Sequence, residues 1–117
     1  TLGFVLHTTD LLQPHHTWTT SALNHSGWES WVNDNYYTKG LNNSALVTAA
    51  LNDFTPVATT TTEIRPLLTQ GGRYSYNNGG AVLNSTSDAD RTAVAQKVVP
   101  HAIAMVVRIL NHAANRF

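Results

Sequence analysis

Two pairs of adjacent glycines divide the second half of the chain into short segments. Gly71-Gly72 and Asn77-Asn78-Gly79-Gly80 are strong turn signals, because glycine and asparagine accept positive φ angles. Between them, Arg73-Tyr74-Ser75-Tyr76 alternates in the way expected of a half-exposed strand. A chain divided at this spacing is expected to form short strands joined by tight turns.

Three further segments have the composition of strands. Residues 2–9 are short, apolar and β-branched, with Asp10 as the first turn residue. Residues 57–68 are rich in threonine, which is favoured on a pleated surface, and Pro66 places the end of that segment at a sheet edge or a bend. The apolar residues 103–109 fit either a strand or a helix, and the residue pattern alone leaves that choice open.

The clearest helix begins near Ser87. A serine followed by an acid three residues later resembles a capping box, and Asp88 and Asp90 favour the positive end of a helix. Apolar residues then recur at helical spacing as far as Pro100, which is expected to end the helix because an interior proline costs about 3 kcal/mol. We therefore predict one short helix over about 88–99.

The whole chain of 117 residues is predicted to be one domain, 1–117, of mainly β (α+β) class. Residues 11–57 lack sustained periodicity and are expected to form a long irregular insertion that packs aromatic side chains. Within it, residues 43–52 can make a short helix with Asn43 or Ser44 as the N-cap. The strands would come from the glycine-punctuated parts of the chain.

The charged fraction of the chain is 12%, about half of the ~25% that is usual in globular proteins. Asparagine, threonine and serine replace the missing charges, which favours life inside an assembly or outside the cell. The net charge of zero argues against a nucleic-acid groove built on lysine and arginine. No apolar run approaches the ~18–20 residues of a membrane span, so we predict neither nucleic acid nor membrane as a partner.

Six histidines raise the question of a metal site. His7, Asp10, His15, His16 and His25 lie in the first quarter of the chain, and imidazole and carboxylate groups can ligate zinc. None of the recognised metal-binding spacings is present, and no G-x-S-x-G nucleophile motif occurs. We interpret these residues as scattered surface and loop histidines, and we predict no metal ion, no other cofactor and no catalytic residue.

All three tryptophans, Trp18, Trp28 and Trp31, fall within the segment predicted to be irregular. Aromatic side chains are enriched at protein interfaces because they offer a large, rigid contact area. We therefore predict Trp18, Trp28 and Trp31 as interface residues. The alternative is a small local core beneath a long loop.

Two separated parts of the chain share a pattern with one known family. Leu2-Gly3-Phe4-Val5-Leu6-His7-Thr8-Thr9-Asp10 is similar to a strand of the form G-I-L-L-x-x-V-D, and Ser87-Asp88-Ala89-Asp90-Arg91-Thr92-Ala93 is similar to A-D-D-A-T-K-A-A. Arg73-Tyr74-Ser75-Tyr76 and the apolar Ile103 to Arg108 occupy the places of a strand before this motif and of a terminal strand. In these features the chain resembles the head decoration (capsid-stabilising) proteins of lambda-type tailed bacteriophages.

The resemblance implies a mainly β domain that forms homotrimers on the exterior of a phage capsid. Its partners would be copies of itself and the major capsid protein, and it would be a non-enzymatic virion protein that stabilises the shell. The resemblance also implies that residues 103–108 form the terminal strand. Residues 11–57 would be an unusually long insertion in this family.

Two alternatives remain. Phe4-Val5-Leu6-His7-Thr8-Thr9 followed by Asn24-His25-Ser26-Gly27-Trp28 resembles the start of zinc-dependent N-acetylmuramoyl-alanine amidases, in which a strand histidine ligates zinc and a G-W element follows. That resemblance implies a peptidoglycan hydrolase with His7 as a zinc ligand. An extracellular adhesin or fibre subunit shares the low charge and the threonine-rich and asparagine-rich composition.

Overall fold

A computed structural model describes residues 12–17, 25–54 and 64–116, and these residues form α-helices and no strand. The helices are α1 (Pro14–Thr17), α2 (His25–Asn35), α3 (Ser44–Leu51), α4 (Ile64–Asn78), α5 (Ala81–Asn84) and α6 (Asp88–Arg116). The prediction of a mainly β fold is therefore wrong for the described part of the chain. The strand predicted at 2–9 lies outside the described residues, and so do residues 57–63 of the strand predicted over 57–68. The rest of that second strand is wrong, because residues 64–68 form the first turns of α4.

The 29-residue helix α6 is the element against which α3, α4 and α5 pack, while α1 packs on α4 and α5. Apart from Pro100, its buried side chains recur every three or four residues, which is the spacing of one helix face. They are Val94, Ala95, Val98, His101, Ala104, Met105, Ile109 and His112. The prediction of a terminal strand over 103–108 is wrong, because these residues are part of this helix. Their pattern fits either structure, and packing one helical face against the core favours the helix.

Helix α6 begins where the sequence predicts and continues past the proline expected to end it. The Ser87 hydroxyl accepts a hydrogen bond from the Asp90 backbone N–H at 3.1 Å, which confirms the predicted cap. Pro100 is fully buried inside the helix. It supplies no N–H to the turn before it, and the apolar contacts made on both sides of Pro100 offset that loss. The predicted stop after residue 99 is therefore wrong.

The glycine pair at 71–72 lies within α4 and makes no turn. A Cβ atom built on Gly71 would overlap the Sδ atom of Met105, so the missing side chain allows α4 to approach α6 closely. The strand predicted at Arg73-Tyr74-Ser75-Tyr76 is also wrong. This segment belongs to α4, which packs on α6. Pro66 lies in the first turn of α4, where the absence of an N–H costs no hydrogen bond.

The second glycine pair does mark a break, because α4 ends at Asn78 and α5 begins at Ala81. The predicted irregular insertion over 11–57 is also wrong within the described residues, which contain α1, α2 and α3 there. The short helix predicted over 43–52 is confirmed. The Asn43 side chain caps it by accepting hydrogen bonds from the N–H groups of Ala45 at 2.9 Å and Leu46 at 3.3 Å.

The buried apolar side chains form two clusters along α6. The first lies near its N-terminal half and consists of Trp28, Leu41, Val82, Val94, Ala95 and Val98. The second lies near its C-terminal half and consists of Ala50, Phe54, Leu67, Ala104, Met105 and Ile109. His101 lies between them in sequence, stacked on Tyr74 with ring centroids 3.7 Å apart and also packed against Phe54 at 4.5 Å.

Of the described helices, α6 is long and apolar enough, by length and composition, to cross a membrane, over Asp88–Ala114. Half of its most apolar stretch is buried inside the protein. The central helix of a globular core meets the same criteria, so this finding is weak evidence for a membrane span. The sequence shows no unbroken apolar run of this length because Lys97 and Arg108 interrupt it.

Replacing Gly79 with alanine is expected to destabilise the protein by about 1–3 kcal/mol through overpacking. The new Cβ atom would lie 2.5 Å from Cβ of Pro14 and 2.6 Å from the backbone oxygen of Ser75, and backbone cannot move aside cheaply. Urea unfolding followed by circular dichroism measures the change. Gly72→Ala is the control, because its Cβ meets only the flexible end of Leu12 and alanine is the better helix former. Equal losses in the two variants would contradict the packing argument.

The free energy of unfolding is expected to fall as the pH drops below about 6.5, and His101 is expected to cause part of this fall. Burial lowers the pKa of His101, and the nearby Asp53 carboxylate opposes this shift only in part. The unfolded chain therefore takes up a proton at a higher pH than the folded chain, and the free energy of unfolding decreases between that pH and the lower folded-state pKa. Unfolding of wild type and His101→Phe in urea at pH 8, 7, 6 and 5 should give a shallower decline in the variant. Parallel declines would show that His101 does not contribute.

Candidate metal centre

Three side chains that can ligate a metal ion converge where α1 meets the start of α2. His16 is in α1, His25 is the first residue of α2, and Glu29 lies one turn later on the same face of that helix. Each of the three offers a ligand atom, and these atoms all lie within 4.8 Å of one another. The three residues are called the His16–His25–Glu29 cluster below.

The cluster is already ordered by contacts among its own members. The Nε2 atom of His25 lies 3.0 Å from the Oε1 atom of Glu29. The rings of His16 and His25 meet edge to face, with centroids 4.7 Å apart and an interplanar angle of 84°. The two imidazoles therefore have close but non-overlapping positions, and the carboxylate lies beside the second of them.

The short helix α1 has local reasons to hold His16 in place. Pro14 is its first residue, where the fixed φ of proline suits a helix start. The carbonyl oxygen of Gln13 accepts hydrogen bonds from the N–H groups of His16 at 2.9 Å and Thr17 at 3.1 Å. Pro14 is fully buried, with its ring against Gly79. Helix α1 is thus fixed to the junction between α4 and α5.

Helix α2 is anchored by its tryptophans. Trp28 is 3% exposed and belongs to the first core cluster, so it fixes the helix beside α6. The indole N–H of Trp31 donates to Oδ1 of Asp88 at 3.1 Å, and Nζ of Lys39 lies 2.8 Å from the other carboxylate oxygen. These hydrogen bonds from Lys39 and Trp31 lower the pKa of Asp88. Glu29 is therefore presented by a helix that is tied to the N-terminus of α6.

A groove of about 510 Å³ runs along α2 from the cluster. Its polar lining includes Gln13, Glu29 and Asn33, its aromatic lining Trp28, Tyr36 and Tyr37, and its aliphatic lining Val32 and Val99. Glu29, Asn33 and Tyr36 lie at i, i+4 and i+7 of the chain, so they follow one face from helix α2 into the turn after it. Glu29 belongs to both the cluster and the groove.

The structure brings together two of the histidines singled out from the sequence, and it adds a carboxylate that the sequence analysis missed. His16 and His25 are in the cluster, His7 and Asp10 lie outside the described residues, and the side chain of His15 is not among those described. Glu29 follows His25 at the i, i+4 spacing of a helix. This spacing brings two side chains together only in a helix, and the sequence pattern predicts an irregular segment here, so the sequence alone does not pair His25 with Glu29.

The predicted interface tryptophans have different positions. Trp18 lies outside the described residues, Trp28 is buried in the core, and Trp31 is half-buried and stacked on Trp28 with centroids 6.0 Å apart. In this conformation Trp28 has almost no surface to offer a partner. The interface role of Trp18 and Trp31 stays a prediction.

Comparison with known proteins gives no relative: no family model, no curated protein and no solved structure matches the chain.

Replacing Trp28 with alanine is expected to lower the free energy of unfolding by about 3–5 kcal/mol, because a large buried side chain is removed and leaves a cavity. Trp31→Ala should cost less, since that side chain is only half-buried. Chemical denaturation measures both losses, and light scattering on the same samples measures assembly. A Trp28→Ala variant that keeps its stability but loses assembly would place this residue at an interface instead.

Proposed function

We propose that this protein binds a divalent transition-metal ion, with Zn²⁺ as the best match, through His16, His25 and Glu29. The observation that carries the proposal is the convergence of two imidazoles and one carboxylate with all ligand atoms within 4.8 Å of one another. This proposal replaces the sequence-based expectation that the histidines are scattered and the chain is metal-free.

The donor set selects the class of ion. Imidazole nitrogen favours zinc and its transition-metal neighbours, whereas magnesium and calcium prefer sites built from oxygen. Ligand bonds of about 2.0–2.2 Å in a tetrahedron place ligand atoms about 3.3 Å apart. The ligand atoms of His25 and Glu29 are already 3.0 Å apart, and that of His16 lies within 4.8 Å of both.

The exposure of the cluster favours an open site. His16 and Glu29 are exposed and His25 is half-buried, so solvent reaches the position where an ion would lie. Three protein ligands leave a fourth position for water or a bound molecule, whereas purely structural zinc sites are closed by four protein ligands. An ion bound by these three residues would therefore keep one coordination position for an exchangeable water or a bound molecule.

Calorimetric titration of the purified chain with zinc chloride tests the proposal. We expect one zinc ion per chain, and affinity at least about tenfold weaker in His16→Gln and in Glu29→Gln. Affinity should also fall as the pH is lowered, because the ligands must be deprotonated to bind the ion. X-ray absorption at the zinc edge should show imidazole ligands.

Asp34→Asn is the matched control, because Asp34 is an exposed carboxylate on the same helix outside the cluster. Its zinc affinity should equal that of wild type, and circular dichroism should show all variants folded. Absence of zinc uptake, or uptake that survives both ligand substitutions, would overturn the proposal.

The capsid-stabilising function implied by the phage resemblance stays a prediction, and so does the non-enzymatic role that goes with it. Two of the segments behind that resemblance, 73–76 and 103–108, are helical, so the fold no longer supports it. The low charge and residues 2–10, which lie outside the described part of the chain, still favour it. Cosedimentation with expanded phage shells tests it, and light scattering tests the predicted trimer. The amidase and adhesin alternatives likewise stay predictions.

A further inference from the structure

The groove beside the cluster is lined by neutral polar and aromatic side chains. Gln13 and Asn33 carry amides, Tyr36 and Tyr37 carry phenols, and Glu29 is the single charged residue among the described residues that line it. The part of the lining that the structure describes contains no lysine or arginine, so it offers an anionic ligand no charge partner. Its volume of about 510 Å³ lies within the ~300–1,000 Å³ range of small-molecule sites.

Tyr37 is the most unusual residue of this groove. It is 80% exposed, although exposing an aromatic ring to water loses the hydrophobic stabilisation that burial would give. Its ring packs edge to face on Tyr36, with centroids 5.0 Å apart and an interplanar angle of 84°. This contact limits the directions in which the Tyr37 ring can point. The groove therefore has an aromatic ring that is exposed to solvent and held by its neighbour in one orientation.

We infer that this groove binds a neutral oligosaccharide. Sugar hydroxyls are donors and acceptors at once, and side-chain amides such as those of Gln13 and Asn33 offer both functions in one planar group. The C–H faces of a pyranose ring are apolar with slightly positive hydrogens, which suits the negative face of a tyrosine ring. This inference goes beyond the proposed metal function and does not depend on it.

The inference is tested by titrating the full chain with three neutral hexasaccharides: β-1,4-linked glucose, α-1,4-linked glucose and β-1,4-linked N-acetylglucosamine. Binding is followed by amide chemical shifts in buffer containing EDTA, so that a failure of zinc binding cannot be mistaken for a failure of this inference. We expect at least one hexasaccharide to bind saturably and to shift resonances of Asn33 and Tyr37. Affinity should fall about tenfold in Tyr37→Ala and in Asn33→Ala.

Two matched controls separate the groove from the rest of the surface. Tyr76→Ala removes a tyrosine that is 47% exposed on α4, and Asn42→Ala removes an exposed asparagine in a turn, and neither residue lines the groove. Both should bind as wild type does. No binding of any hexasaccharide up to about 10 mM would overturn the inference. Binding that survives both groove variants, or stronger binding of an uncharged hexapeptide at the same residues, would also overturn it.

Discussion

Burial of one face of α6 is the interaction on which the rest of the described structure depends. Residues of this face belong to both apolar clusters, and α3, α4 and α5 each pack against the helix that carries it. The face also contains two buried histidines, His101 and His112. His101 is accommodated by stacking on Tyr74, where the neutral imidazole behaves as an aromatic ring. A chain with so few charges thus buries titratable groups in the helix that organises its core.

The position of the candidate site follows from the same helix. Trp28 packs into the first cluster and Trp31 donates to Asp88 at the start of α6, so α2 has a fixed direction along that end of the protein. With α2 fixed, His25 and Glu29 lie at its beginning, and the groove follows the face that contains Asn33. The candidate metal ligands and the groove residues are therefore positioned by the contacts of Trp28, which itself lines the groove, and of Trp31. Glu29 belongs to both, so the two proposed sites share one carboxylate, and if both bind a ligand, any effect of one on the affinity of the other is reciprocal.

The features that the sequence predicts correctly are those that depend on contacts between residues close together in the chain. Asn43 and Ser87 cap helices through bonds to residues two or three positions away, and both helix starts were predictable for that reason. The glycine pair at 71–72 predicts a turn because glycine accepts positive φ, yet Gly71 lets α4 approach Met105, which lies on another helix. The meeting of His16 with His25 likewise depends on how α1 and α2 pack. Contacts of this kind leave no short-range pattern, so the fold class and the cluster were both missed.

Pro100 divides α6 into two parts, each attached to its own apolar cluster. Val94, Ala95 and Val98 precede it, and Ala104, Met105 and Ile109 follow it. The proline removes one rung of the backbone hydrogen-bond ladder at the point where the clusters meet. Cooperative opening units in proteins often coincide with such separately packed segments. We therefore expect the amides on either side of the proline to open with different free energies, with the ring of His101, in contact with both Tyr74 and Phe54, as the link between the two parts of the helix.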